Sequence, residues 1–280
     1  MNDLIIAWVI IVLEATVCFL VALRLFKKRS ERTISIACTC CVLLLMVYAF
    51  VIHGWVGFVR FLPYSSVIVL SNLTLPLLGV LSGVLVRHPK IARWRKGVAL
   101  LFFVGIAGYA AAQPIAYFPL ETGERWHEGV CMQTTDASCS PCCAVTLLAS
   151  ADIEATEQEM VDLCLTNSKG TAMLGLYRGL KLKTEGTDYD VHPIFGDIET
   201  LRANEHWPIV LSVGLPRFGE YDPIYVEQWC WAPGDRHAVI MYGFAEDDRV
   251  DMGDPSVGQE QWTVDDLELL FRGSAFYLSE

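Results

Sequence analysis

The sequence predicts two bodies of different fold class. An all-α region of four transmembrane helices fills residues 1–118, and an α+β domain fills 119–280, with helices first and antiparallel strands after. Three observations lead there. Residues 1–118 carry 11 Lys and Arg against 3 Asp and Glu, whereas 119–280 carry 10 against 29. The chain is 53% hydrophobic and only 19% charged, and the excess apolar residues gather in four long runs within the first body. In the second body the hydrophobic period changes from helical to alternating near residue 209. These features exclude a disordered chain, a small disulfide-stapled toxin and a wholly soluble protein. They also argue against a nucleic-acid partner for the acidic half, because phosphates need cations.

The four runs cover about 4–23, 34–52, 67–86 and 98–118, each near the ~20 residues needed to cross a bilayer core. The first lacks a basic n-region and a small-residue cleavage site, so it reads as a retained span rather than a removable signal. Cations set the orientation. Arg24, Lys27, Lys28, Arg29 and Arg32 fill the first loop, and Arg87, Lys90, Arg93, Arg95 and Lys96 the third; the second loop has only Arg60. Loops rich in Lys and Arg stay cytoplasmic, so the acidic half faces out, from what reads as a plasma (inner) membrane. Trp8, Trp55, Tyr64, Trp94 and Tyr117 fall near the expected interfaces.

Within the spans, Glu14 is an ionisable group at mid-membrane, expected to face another helix near Asn72 or Thr74. Gly79 and Gly83 form a small-xxx-small step suited to close packing. Pro76 and Pro114 are expected to kink their helices, and Cys38 and Cys41 form a C-x-x-C without further redox signature. Anchoring is the role this half supports. A substrate path or a partner membrane protein is compatible with it, and the sequence singles out neither.

In the acidic half, Pro141–Ser150 reads as a helix entered through Ser138 or Ser140, with Pro141 suited to the first turn. Thr156 to Glu159 forms a capping box opening a helix through Leu165, and Ala172–Lys181 makes a third. Strands follow at Ile209–Val213, His237–Phe244, Arg249–Met252 and Ala275–Leu278, with Asp247-Asp248 as a hairpin turn. A last helix, Val264–Arg272, starts after Thr263 with Asp266 three residues on. Helices followed by strands make an α+β domain.

Cys139 stands at a helix start, where the positive end of the helix dipole favours a thiolate. Gln133, six residues upstream, can donate its amide N–H to the oxyanion formed when a thiolate attacks a carbonyl. His237 opens a strand, and Asp254 ends the next one after the hairpin returns. A carboxylate there fixes the imidazole tautomer and orientation. His127, His192 and His206 lack metal-ligand spacing to each other or to a cysteine pair and read as surface or structural residues. No nucleotide, metal or flavin signature appears, so no cofactor is expected.

The run from Gln133 through Thr134, Thr135, Asp136, Ala137 and Ser138 to Cys139, Ser140 and Pro141, followed by Ala144 to Leu148, resembles the peptidase C39 family. These are papain-like cysteine peptidases best known for processing bacteriocin leaders. The resemblance extends to His237-Ala238-Val239-Ile240, to Asp254-Pro255-Ser256-Val257-Gly258, to Gly170-Thr171 with Gly175-Leu176, and to Phe271-Arg272-Gly273 with Tyr277-Leu278. It spans roughly residues 131–278. It implies a papain-like fold and a thiol protease acting on a peptide or protein substrate, with cleavage after small residues such as Gly-Gly; the membrane anchor is read from the four apolar runs. By it Cys139 is the nucleophile, His237 the general base and acid, Asp254 the orienter and Gln133 the oxyanion donor. Three positions depart from the family pattern. Ser140 replaces the Gly after the nucleophile, and Cys142-Cys143 replace small residues.

Two other readings stay open at this level. A catalytically inactive domain of this type would bind a peptide and signal or dock through the membrane helices. Alternatively, Cys139-Ser140-Pro141-Cys142 is itself a C-x-x-C at a helix start, the arrangement of thiol–disulfide oxidoreductases. The outward half holds six cysteines, 131, 139, 142, 143, 164 and 230, and their pairing is not readable from sequence.

Overall fold

The computed structural model describes residues 2–113 and 120–280. The expected end of the fourth span, Pro114, Tyr117 and the 118/119 boundary lie outside the described residues. The chain divides into two compact units, Met1–Tyr117 and Phe118–Glu280.

The first unit is helical. Its elements are α1 (Asn2–Leu25), α2 (Glu31–Val47), α3 (Val67–Leu70), α4 (Thr74–Arg87) and α5 (Arg93–Ala112). Four segments, Asn2–Leu25, Glu31–Ile52, Val67–Arg87 and Arg93–Ala112, are long and apolar enough to cross a membrane. The second starts earlier than the apolar run because the Ser30 side chain accepts from the Thr33 N–H at 3.2 Å and caps it. The third is not continuous. Between α3 and α4, Asn72 turns its carboxamide back to the Thr74 N–H at 3.3 Å and donates to the Ala110 carbonyl at 2.7 Å. Pro76 therefore sits in the first turn of a new helix, where its missing N–H costs nothing, instead of kinking a long one.

The small-residue step works as expected. A Cβ on Gly79 would lie 2.3 Å from the Ala15 carbonyl oxygen, and one on Gly83 2.6 Å from that of Phe19. Cys41 is buried among Leu78 and Leu81, with Cys38 against the same cluster, as small hydrophobes. Glu14 differs from expectation. It lies on the exposed side of α1, while Leu4, Ala7 and Ile11 supply the buried side, and Asn72 bonds elsewhere.

The second unit combines helices with an antiparallel sheet. A small hairpin, β1 (Trp126–His127) and β2 (Val130–Cys131), leads into α6 (Cys139–Ala149), α7 (Glu157–Leu163) and α8 (Met173–Lys183). Then follow β3 (Asp190–Phe195), α9 (Ile198–Arg202), β4 (Ile209–Val213), α10 (Ile224–Glu227), β5 (His237–Phe244), β6 (Arg249–Asp254), β7 (Gly258–Thr263), α11 (Val264–Leu270) and β8 (Phe271–Ser279). The large sheet runs β3-β8-β4-β5-β6-β7, with every neighbouring pair antiparallel.

Alternation along the central strands divides the core. Leu211, Val213, Val239, Met241 and Met252 pack with Leu201 of α9 and Leu267 of α11 on one face. Val210, Ala238 and Ile240, equally buried, point to the other face, and α6 lies against β4 and β5.

Local signals explain most element ends. Thr263 and Asp266 form a complete capping box, each side chain accepting from the other's N–H at 3.1 and 2.9 Å. The helix they open stops at Leu270, two residues short of expectation, because Phe271 and Arg272 join β8. Thr156 accepts from the Glu159 N–H, but the Glu159 carboxylate pairs with Lys183 at 2.9 Å, so that capping box is half made. Asp247 and Asp248 both adopt positive φ, 60° and 54°, as the turn between β5 and β6 requires.

Candidate active site

Cys139 is the first residue of α6, after Ser138 at the N-cap. The segment before it is tightly held. The Ser138 hydroxyl accepts from Thr135 Oγ1 at 2.9 Å and from the Thr135 N–H at 3.2 Å. One residue earlier, Thr134 gives both its N–H and its hydroxyl to the fully buried Glu157 carboxylate, each at 2.9 Å. The Gln133 N–H donates to the Pro255 carbonyl at 2.8 Å, pinning this segment to the turn that follows Asp254.

His237 is the first residue of β5, opposite Val213 of β4; Asp254 is the last of β6. The imidazole Nε2 lies 3.0 Å from both carboxylate oxygens of Asp254. Asp254 Oδ1 also accepts from the Ser256 N–H at 2.7 Å and from the Ser256 hydroxyl. With Nε2 committed to the carboxylate, Nδ1 is the ring nitrogen left for the thiol, and Cys139 and His237 lie near enough to shift each other's pKa. The structure thus brings Cys139, His237 and Asp254 together from three separate elements, with His237 and Asp254 hydrogen-bonded.

The electrostatics follow from these contacts. Burial raises the Cys139 thiol pKa, but the hydrogen bond and charge of His237, with the Ala238 N–H and the Ser140 hydroxyl, outweigh it and bring the pKa below the ordinary thiol value. Burial disfavours the His237 imidazolium, and its bonds to Asp254 and Cys139 overcome this and raise its pKa. Burial likewise works against the Asp254 carboxylate, which His237 and Ser256 hold below the usual range. Low thiol and high imidazole together favour thiolate beside imidazolium.

Gln133 reaches the same place. It shares with His237 and Asp254 the wall of a cleft of about 960 Å³, which Trp231, Glu260 and Trp262 also line. Its Oε1 is buried without a hydrogen-bond partner. The Trp231 ring stands edge-on to His237 at 5.9 Å and to Trp262 at 6.0 Å. Cys139 is half-buried and is not part of that cleft wall.

Several contributors escaped the sequence reading. Ser256 was visible only as a turn residue, and Glu157 only as an acidic first-turn residue of α7. Trp231 and Glu260 carried no local signal. Ser140, a departure from the family pattern, helps lower the pKa of the thiol it follows.

The remaining thiols and histidines sort differently. The neighbouring Cys131 and burial push the Cys142 pKa up, the opposite of a reactive C-x-x-C thiol. Burial also raises Cys143 and takes Cys164 to about 12. His192 and His206 both stack on Tyr277, at 5.2 and 4.9 Å. Among the described residues no group of three or more His, Cys, Asp or Glu is placed to hold a metal ion.

No family model matches the chain, and no curated protein matches it. Among solved structures it is similar to the peptidase domain of Streptococcus ComA, described as a bi-functional ABC transporter involved in a quorum-sensing pathway. Identity is 17% over 55% of this chain and 98% of that one, with a TM-score of 0.42. It is also similar to a double-glycine-motif protease from an AMS/PCAT transporter in complex with the leader peptide, at 13% identity over 56% and 91%, TM-score 0.41. The peptidase domain of Streptococcus mutans ComA follows at 18% over 54% and 99%, TM-score 0.37.

Proposed function

We propose that this chain is a membrane-anchored cysteine peptidase. The spans within 1–118 hold the 119–280 domain on the extracytoplasmic side of a plasma (inner) membrane. The observation that carries the reading is the series Cys139–His237–Asp254, with the thiol shifted down and the imidazole shifted up.

In this reading the Cys139 thiolate attacks a peptide carbonyl. The Gln133 carboxamide and the free N–H groups at the start of α6 receive the oxyanion; Pro141 has no N–H, which leaves those of Cys139 and Ser140 in the first turn. His237 gives its proton to the leaving amine, then takes one from the water that releases the acyl group. Asp254, held by Ser256, keeps the imidazole oriented throughout. Cleavage after small residues such as Gly-Gly follows from the family resemblance alone.

The test is turnover of a peptide library, including Gly-Gly sequences, by the purified full chain and by Cys139→Ala. Cleavage by the parent and none by the variant is the expected result. Peptide binding by both without cleavage would instead make the domain a binding module. Thiol–disulfide exchange that needs Cys142 and tolerates loss of His237 would make it an oxidoreductase.

A further inference from the structure

Three residues after the nucleophile, Cys142 lies inside α6 with 0% exposure; Cys131, at the end of β2, is 1% exposed. Both are free thiols in this structure, and Cys131 lies near enough to push the Cys142 pKa up. Their main chains are tied as well. The Thr146 hydroxyl accepts from the Cys131 N–H at 3.0 Å and donates to the Cys142 carbonyl at 3.0 Å. Of the other thiols, Cys139 faces His237, Cys164 lies against Gly179 and Cys230 is exposed; Cys143, also buried in α6, lacks the Thr146 link.

We propose that Cys131 and Cys142 are a disulfide-forming pair, a covalent site that closes the 131–142 segment around Gln133 and Cys139. The inference rests on the outward placement of the domain proposed above, since disulfides persist in oxidising compartments. The oxidant is a disulfide donor, RSSR. One thiolate of the pair attacks it, forming a mixed disulfide and releasing one RSH. The second thiolate then attacks the protein sulfur of that mixed disulfide, closing Cys131–Cys142 and releasing the second RSH; two electrons and two protons pass to the donor. Because both sulfurs are buried in the folded domain, closure belongs to folding, before α6 packs on β2.

The bridge has two consequences for the site. It restricts the segment that carries the oxyanion donor and the nucleophile. It also removes Cys142 as a partner for Cys139, so the nucleophile stays a free thiol where a C-x-x-C would otherwise oxidise.

Trypsin leaves 126–169 as one peptide, and cyanogen bromide cuts it after Met132 and Met160. Full chain in membranes from aerobic cells is acid-quenched, blocked with N-ethylmaleimide and cleaved both ways. Fragments 126–132 and 133–160 stay joined until reduced in the parent and in Cys143→Ser, and separate in Cys142→Ser. Separation in the unreduced parent, or joining that survives Cys142→Ser, overturns the pair. Labelling of Cys230 in intact cells by a membrane-impermeant maleimide reports the placement independently. Labelled Cys230 with separated fragments rejects the bridge and leaves the outward placement standing. Cys230 shielded until lysis, with joined fragments, rejects the placement and leaves the bridge.

Discussion

At the scale of single residues, the site is governed by where each proton is held. Asp254 raises the His237 pKa, so Asp254→Asn lets the imidazolium lose its proton at lower pH. The alkaline limb of the peptidase profile moves toward acid, and kcat falls by up to about 10⁴-fold; a pH–rate series on both proteins checks this. Gln133→Ala removes one oxyanion donor and is expected to lower kcat by about 10²–10³-fold with little change in KM, since that bond forms only in the transition state. Glu157 lies farther from the chemistry yet holds the Gln133–Thr134 segment through two charge-assisted bonds. Glu157→Gln, unable to accept both, costs about 1.5–3 kcal/mol of stability in urea titration and slows turnover in step with it.

At the scale of elements, legibility tracked how local the signal was. The strands Ile209–Val213 and His237–Phe244 stand where their apolar, β-branched residues put them, as does the helix opened by Thr263 and Asp266. The strands Asp190–Phe195 and Gly258–Thr263 were not read, because they are the two edges of the sheet. One contains Pro193, the other is mostly polar, and each buries little, so neither shows a clean alternation. The candidate triad was legible because its residues sit beside element boundaries that the sequence marks. Ser256, Glu157 and the Cys131–Cys142 contact were not, since each acts through the folded arrangement rather than its neighbours in sequence. In the helical first unit the Gly79 step was legible and its consequence is testable. Gly79→Leu sets a side chain against the Ala15 carbonyl and lowers the thermal stability of the detergent-solubilised chain. Gly105→Leu, whose Cβ meets nothing within 4 Å, leaves it unchanged.

At the scale of the whole molecule, the charge division assigns two solvents to one chain. In the proposed topology the cationic loops Arg24–Arg32 and Arg87–Lys96 stay cytoplasmic and the acidic unit faces out. Alkaline phosphatase fused after Glu280 is therefore active, and the same reporter fused after Arg29 is not; the reverse pattern would put the domain in the cytosol. In the proposed reading an outside peptidase must keep its nucleophile reduced in an oxidising compartment, which the proposed pairing of Cys142 with Cys131 would serve.

The most direct measurement of the central claim is the alkylation rate of Cys139 against pH in the full chain. The rate is read by mass spectrometry on the 126–169 peptide, in the parent and in His237→Ala. A free thiol loses reactivity steadily below its pKa of ~8.5. A thiolate–imidazolium pair keeps the rate high to about pH 5, and that shoulder disappears in His237→Ala. A rate that follows an ordinary thiol in both proteins, or a shoulder that survives the loss of His237, would contradict the account.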